Sequence, residues 1–209
     1  MPSIPQPLPL SYLERARALS TAEITVRDLD AGGIEQRIVH GPLVGVTREM
    51  LFWWMHHMGD EVTWEGQRAK AYRLWHPRDH IDWSCDGPVR VGCRFHIVEA
   101  FGAQRRFLVD NVFLVPKLER TGFRIETGFF GAARASIDED WEDLPDGVRW
   151  TNTMRLVPAR AFLGPLVRVG IRFKSEMLAA WQAHNVEEVG FLPEFLPQLY
   201  ASRADRQVG

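Results

Sequence analysis

The chain has 209 residues, a formal net charge of −2, a hydrophobic fraction of 45% and a charged fraction of 25%. That length suits one large domain or one domain with an arm, and the balance is that of a soluble globular protein with no basic footprint for nucleic acid. No apolar run approaches the ~18 residues needed to span a bilayer, and the start, MPSIPQPLPL, lacks the basic region of a signal peptide, so the expected setting is the cytoplasm.

The two cysteines, Cys85 and Cys93, fit a reduced protein, with a disulfide left open. Eight tryptophans and twelve phenylalanines point to a large aromatic core or a pocket lined by rings.

In chain order, residues 1 to 10 read as a proline-rich extended arm and Ser11 to Leu19 as a short helix. Residues 1–22 thus precede a single domain over 23–200, with a polar tail at 201–209. Strands are expected from Glu23 to about Thr47, broken at Asp30-Ala-Gly-Gly33 and His40-Gly-Pro42. Thr47 is the N-cap of a helix to Met58, where a glycine follows. Apolar residues surround this helix so fully that it should be buried or roof a cavity. Met58 to Lys70 reads as a loop. Pro77 should end a strand near Trp75, leaving His76 and His80 on an irregular segment at the strand's mouth. Val89 to Ala100 is a strand in which Phe95, Ile97, Glu99 and Phe101 share one face. Glu99 therefore intrudes on an apolar row, with a slipped register or a bulge as the alternative account. His96 falls on the opposite, solvent face. Arg105 to Val115, Gly122 to Phe130 and Val148 to Leu156 are further strands, with an acidic, turn-rich connection from Asp138 to Gly147. A long helix, about Phe162 to Glu188, follows. Gly190 and Pro193 punctuate its end, and FLPEFLPQLY is a short amphipathic tail. Together these elements make an α+β helix-grip arrangement. A curved antiparallel sheet wraps the last helix and leaves a cavity where small apolar ligands bind.

That helix carries the strongest sign of chemistry. Phe173, Met177, Trp181, His184 and Glu188 fall on one stripe, which Leu163 and Leu166 extend upstream and Phe195 downstream. His184 and Glu188 are i, i+4 neighbours, about 40° apart around the axis. Burying an unpartnered carboxylate costs several kcal/mol, so either a His–Glu hydrogen bond on a partly exposed stripe or a cation must compensate it. Glu99 from the sheet and His76 or His80 from the loop converge on the same cavity. Two imidazoles and two carboxylates suit zinc or a similar divalent ion. Arg78 and Asp79 read as a loop ion pair or as groups that orient a metal-binding imidazole, and His56 and His57 as helix surface. The chain has no HExxH, paired CxxC, GxSxG or phosphate-loop motif.

Tyr72-Arg-Leu-Trp-His-Pro-Arg-Asp-His80, preceded by the Met50-Leu-Phe-Trp-Trp54 helix and followed by His184-Asn-Val-Glu-Glu188, resembles the diacetylphloroglucinol hydrolase family over about residues 23 to 200. The resemblance implies a Bet v 1-like (helix-grip) catalytic domain and a zinc ion held by two histidines and two glutamates. It also implies hydrolysis of a carbon–carbon bond between an acyl group and a phenolic ring. Carried over residue by residue, it implies His80, Glu99, His184 and Glu188 as metal ligands and catalytic groups and Tyr72 at the substrate, where His76 and Trp83 are also expected. His80 is preferred over His76 because the family's substrate-binding tyrosine stands eight residues before the ligand histidine, where this chain has Tyr72. Glu187 competes with Glu188 but falls toward the edge of the stripe. The family also sets a second tyrosine and an asparagine around its phenol. This chain has only Tyr12, Tyr72 and Tyr200, and Trp83 stands three residues after His80.

The expected function is a metal-dependent hydrolase, with zinc the first choice, acting on an acylated phenol or a related β-diketone-like compound. The alternatives are a non-catalytic helix-grip carrier of an apolar ligand and a metal-dependent lyase or cyclase on a polyketide-like substrate. The expected partner is the small aromatic molecule, with no nucleic acid and no membrane, and the sequence leaves room for a homodimer.

Overall fold

Period-two alternation builds the sheet that dominates the fold. In the computed structural model, which describes residues 3–30, 32–129, 133–160, 163–164 and 175–204, the strands are β1 (Ala22–Asp28), β2 (Ile34–His40), β3 (Leu43–Val44), β4 (Glu61–Trp64), β5 (Gln67–Lys70), β6 (His80–Cys85), β7 (Arg94–Ala100), β8 (Leu108–Glu119), β9 (Gly122–Phe129), β10 (Ala133–Leu144) and β11 (Gly147–Pro158). Nine of them form one antiparallel sheet in the order β1-β2-β11-β10-β9-β8-β7-β6, with β3 beside β11. Inward residues such as Phe95, Phe113, Phe123, Trp141 and Trp150 belong to one apolar core with Val189, Phe191, Leu192, Phe195 and Leu196 of the long helix α3 (Ser175–Ala204). The sheet grips the helix, and the core lies between them. Outward positions carry ion pairs, such as Arg155 with Glu35 and Asp138.

Helix α1 (Arg48–His57) begins where its punctuation says. Thr47 Oγ1 accepts from the Met50 amide, and Leu51, Trp54 and Met55 are buried. The arm ahead of the domain is packed down, with Leu8, Leu10 and Tyr12 buried and the Leu8 amide donating to the Pro77 carbonyl. In place of the short helix expected at Ser11 to Leu19 there are two 3-10 turns, Leu13–Arg15 and Leu19–Thr21.

Four other expectations are corrected. The Met58–Lys70 loop contains the hairpin β4–β5, closed by Glu65 and Gly66 at φ 48° and 76°, a two-residue turn whose twist suits a hairpin. The strand expected near Trp75 is a single helical turn, α2 (Tyr72–Trp75), with Tyr72, Leu74 and Trp75 all buried. The acidic connection at 138–147 is largely β10. Asp138 pairs outward with Arg124 and Arg155, and Glu142 with Arg149, while Glu139 and Trp141 are buried. The strand expected from Val89 starts at Arg94.

The final helix does not stop at Glu188 but runs through Gly190, Pro193 and Pro197 to Ala204. A proline inside a helix costs about 3 kcal/mol. Against that, Phe191, Leu192, Phe195, Leu196 and Leu199 are all buried, each contributing about 1.5–3 kcal/mol, so packing outweighs the local stop signals. Gly190 is needed for space: a Cβ there would come within 2.7 Å of the Arg17 side chain, whose guanidinium donates to the carbonyls of Gly41 and Pro42. Residues 201–204 of the expected tail belong to this helix. Residues 205–209, the helix start placed at 162 and the stripe positions Leu166 and Phe173 lie outside the described residues. Cys85 and Cys93 are free thiols. Among the described residues, no helix is long and apolar enough to cross a membrane.

Candidate metal centre

Three elements bring the chemistry together. After α2 the chain turns extended at His76, and His80 opens β6 directly opposite Glu99 near the end of β7. The register irregularity lies in β6, between His80 and Asp82, while β7 pairs with β8 without interruption. Glu99 therefore faces inward by plain alternation, and the β6 irregularity re-aims His80. One turn of α3 supplies His184 and Glu188 on the same stripe.

His80 Nε2 lies 3.4 Å from Glu99 Oε1 and 3.4 Å from Glu188 Oε2. His184 Nε2 lies 3.9 Å from Glu99 Oε2 and 3.7 Å from Glu188 Oε2. The other ring nitrogens are anchored. His80 Nδ1 is 2.8 Å from the Tyr72 carbonyl, which can only accept, so Nδ1 carries the hydrogen and Nε2 presents its lone pair inward. His184 Nδ1 is 3.0 Å from Asp79 Oδ2. The carboxylates are oriented too. The Tyr72 hydroxyl donates to Glu99 Oε1. Asn185 Nδ2 donates to Glu188 Oε1 at 2.8 Å, and His40 Nε2 meets Asn185 Oδ1 at 3.2 Å.

These distances discriminate between hydrogen bonding and metal ligation. A charge-assisted imidazole–carboxylate hydrogen bond is about 2.7–2.9 Å long, shorter than any of the four. A tetrahedral ion with bonds of about 2.0–2.2 Å sets its ligands about 3.3–3.6 Å apart, close to what is seen. His80 Nε2 is fully buried and has no hydrogen-bond partner. Ligand atoms of His80, Glu99 and His184 all lie within 4.8 Å of one another, with Glu188 beside the two imidazoles, so the residues present fit a divalent ion of the zinc type. The imidazoles are sealed, whereas Glu99 and Glu188 each keep 10% of their side-chain surface accessible, so the carboxylate side is the open one.

Asp79 organises the surround. It accepts from Arg78 Nε at 3.0 Å and from the amides of Gly102 and Ala103 at 2.8 and 3.1 Å. Those two residues stand at φ 61° and 54°, which aims successive N–H groups at one anion. Burial opposes charge on Asp79, but His184, His76 and these donors hold its carboxyl well below the usual range. Burial also opposes charge on His184, yet Glu188, Asp79 and Glu99 outweigh it and push the imidazole up to about 9. Glu188 is depressed despite burial, because His184 and His80 face it. Burial lowers His76 to about 4. Burial, with Glu99 beside it, raises Tyr72 well above its usual value.

The structure thus brings His80, Glu99, His184 and Glu188 into one cluster, with Tyr72 touching it. His76 and Glu187 sit alongside. His76 is stacked on His184 at 4.6 Å between centroids and lies 3.2 Å from Glu187 Oε2, which also accepts from Arg78 at 2.5 Å. Trp83 is the next inward residue of β6, opposite Ile97, packed beside Phe95 and against Gly59, where a Cβ would come within 2.4 Å of its ring. Tyr12 donates its hydroxyl to the Leu74 carbonyl and Tyr200 packs edge-on to Trp53, so Tyr72 is the tyrosine at the cluster. Sequence reasoning missed Asn185, His40 and Glu139. Asn185 had a signal, the i, i+3 spacing to Glu188; His40 had none. Two surface clefts, about 420 Å³ beside Thr47–Glu49 and about 650 Å³ lined by Arg94, Arg124 and Arg134, lie elsewhere.

No protein-family model matches the chain, and no curated protein matches it in sequence. Solved structures match it in fold. The di-domain ARO/CYC BexL from the BE-7585A biosynthetic pathway is 8% identical with a TM-score of 0.53, over 79% of this chain and 50% of that one. The di-domain ARO/CYC StfQ from the steffimycin biosynthetic pathway is 7% identical with a TM-score of 0.52, over 82% and 53%. Ara h 8.0201 is 15% identical with a TM-score of 0.43, over 80% and 99%. The chain has the α+β helix-grip fold, which it shares with the two ARO/CYC structures.

Proposed function

We propose that this helix-grip chain is a divalent-metal enzyme, with zinc the best fit, that hydrolyses the carbon–carbon bond between an acyl group and the ring of an oxygenated aromatic small molecule. The observation that carries the metal is the set of four imidazole–carboxylate separations, 3.4 and 3.4 Å from a fully buried, unpartnered His80 Nε2 and 3.7 and 3.9 Å from His184 Nε2. The likeness of Tyr72–His80 and His184–Glu188 to the diacetylphloroglucinol hydrolase family supports the reaction class.

His80, Glu99, His184 and Glu188 would hold the ion, which when bound supplies Lewis-acid polarisation of a substrate oxygen. The chain's own groups do the rest. Asp79 and the Tyr72 carbonyl keep protons on the Nδ1 atoms, leaving both Nε2 atoms facing inward. Tyr72, held protonated by burial and by Glu99, gives its proton to Glu99 and offers its oxygen as the acceptor for a phenolic hydroxyl. Trp75, whose ring lies 5.6 Å from His80, and Trp83 supply apolar wall that limits competing water. The reaction consumes one water. Its oxygen joins the acyl carbon, the acyl–aryl bond breaks, and the ring carbon takes a proton, giving a carboxylic acid and the deacylated phenol.

A second reading, a metal-dependent cyclase on a polyketide-like substrate, is favoured by the names of the two ARO/CYC fold neighbours. An assay of the metal-loaded protein against a panel of acylphenols separates the two. Chelator-sensitive release of acid and deacylated phenol supports hydrolysis. Binding without deacylation by the metal-loaded protein rejects it in favour of the cyclase or a carrier. Trp83 offers a donor and no acceptor, so the favoured substrate is more apolar or more extended than diacetylphloroglucinol, and Tyr72→Phe should lower its turnover.

A further inference from the structure

A second group of buried polar side chains lies across the sheet's inner face from the cluster. Gln36 of β2 is 0% exposed, Asn152 of β11 1% and Glu139 of β10 7%. Glu139 and Asn152 are direct register partners. Asn152 in turn faces Ile38, two residues along β2 from Gln36 and on the same face. Gln36 Oε1 and Nε2, Glu139 Oε2 and Asn152 Oδ1 make no hydrogen bond with any protein group. Each such buried atom costs about 1–3 kcal/mol when unmet. An apolar residue would fit the pattern at all three positions, since Ile38, Trp141 and Trp150 occupy the adjacent inward places.

We propose that Gln36, Glu139 and Asn152 form a second subsite that takes the hydroxyl and carbonyl groups of an uncharged, oxygenated aromatic ligand whose acyl end lies at the His80–Glu188 cluster. The placement of the acyl end rests on the hydrolase reading; the subsite itself does not.

The atoms set the ligand's chemistry. Asn152 Oδ1 and Gln36 Oε1 accept and so call for hydroxyl donors. Gln36 Nε2 donates and calls for a carbonyl or hydroxyl oxygen. Burial, reinforced by Glu188 and Glu99, keeps the Glu139 carboxyl protonated well above the usual range, so it too can donate. Gln36, Asn152 and a protonated Glu139 offer no positive charge to compensate a buried anion, which selects an uncharged ligand. The indole N–H groups of Trp141 and Trp150, register partners in the next row, are likewise without partners and place two fluorophores beside the subsite.

The test is a tryptophan-fluorescence titration of the full chain with dihydroxyacetophenone and with acetophenone, with zinc content measured on the same samples. Wild type should bind the hydroxylated probe about ten-fold more tightly, the worth of roughly one net hydrogen bond. Gln36→Met and Asn152→Leu should each erase most of that preference, keep the wild-type zinc content, and raise the melting temperature of the ligand-free protein. Glu139→Gln, which still hydrogen-bonds, should keep the preference. If Asn152→Leu fails to fold, Gln36→Met decides alone. An unchanged preference in Gln36→Met, or a lowered melting temperature with the preference intact, overturns the subsite whatever the zinc content. Loss of the preference in a protein that never holds zinc or deacylates sinks the hydrolase reading and leaves the subsite standing.

Discussion

The two buried polar regions of this interior differ in where their partners come from. Around His184 the side chains anchor one another, Arg78 and Asp79 holding His184, Tyr72 holding Glu99, and His40 and Asn185 holding Glu188, and of the fully buried imidazole nitrogens among the described residues only the inward His80 Nε2 and His76 Nε2 are without a hydrogen bond. Across the sheet, Gln36, Glu139 and Asn152 leave four atoms without a protein partner. Truncating a member of the first region strands a buried charge. Replacing a member of the second with an apolar side chain removes a desolvation cost. The same kind of substitution should therefore have opposite signs in the two places.

The largest effect should come from Asp79→Ala. It takes the Nδ1 partner from His184, one of two carboxylate partners from Arg78 and the acceptor from two amides, and breaking such a buried network costs about 3–5 kcal/mol. Urea denaturation measures it. A loss under about 1 kcal/mol would mean that the first region is not the interlocked network described.

Next is the pH response of the metal-free protein. His184 has an ordinary value of 6.5 and is pushed up to about 9, so the native state holds a proton that the unfolded chain releases. That stabilisation is fully present below about 6.5 and is lost as pH rises through about 9. A cation at Nε2 competes with the proton, so metal-loaded protein should lose this alkaline decline. Parallel melting curves with and without chelator from about pH 6 to about pH 10 would contradict it.

Glu139 also has a raised value, so its native carboxyl keeps a proton where the unfolded one has lost it. Stability falls as pH climbs from the ordinary carboxylate range toward the raised value. Glu139→Gln should flatten that slope with or without metal, and an unaltered slope would show that Glu139 is not the buried neutral group described. The smallest effect is expected at His96, whose exposed pair with Asp110 on the outer face should contribute under about 1 kcal/mol. A larger loss in His96→Ala, measured by the same denaturation, would blur the contrast between interior and surface.

What could be read in the sequence follows the range of the physical signal. The helix at Arg48–His57 was legible because its cap is local. His184 with Glu188 showed in a helical spacing, and Glu99 in a two-residue alternation. The continuation of the last helix past Gly190, Pro193 and Pro197 was hidden, because local stop signals lose to burial of Phe191, Leu192 and Phe195, which only the packed core reveals. Strand β10 was hidden because its outward acids read as a solvated turn. The partnership of His40 with Asn185 spans 145 residues, and no local pattern encodes it.

The central claim is that His80, Glu99, His184 and Glu188 hold one divalent ion, and metal analysis of carefully purified protein tests it most directly. The expected result is about one ion per chain, with most of it lost in His184→Ala and in Glu188→Ala. Retention of about one ion per chain in both variants, or its absence from wild type supplied with zinc, would contradict the account.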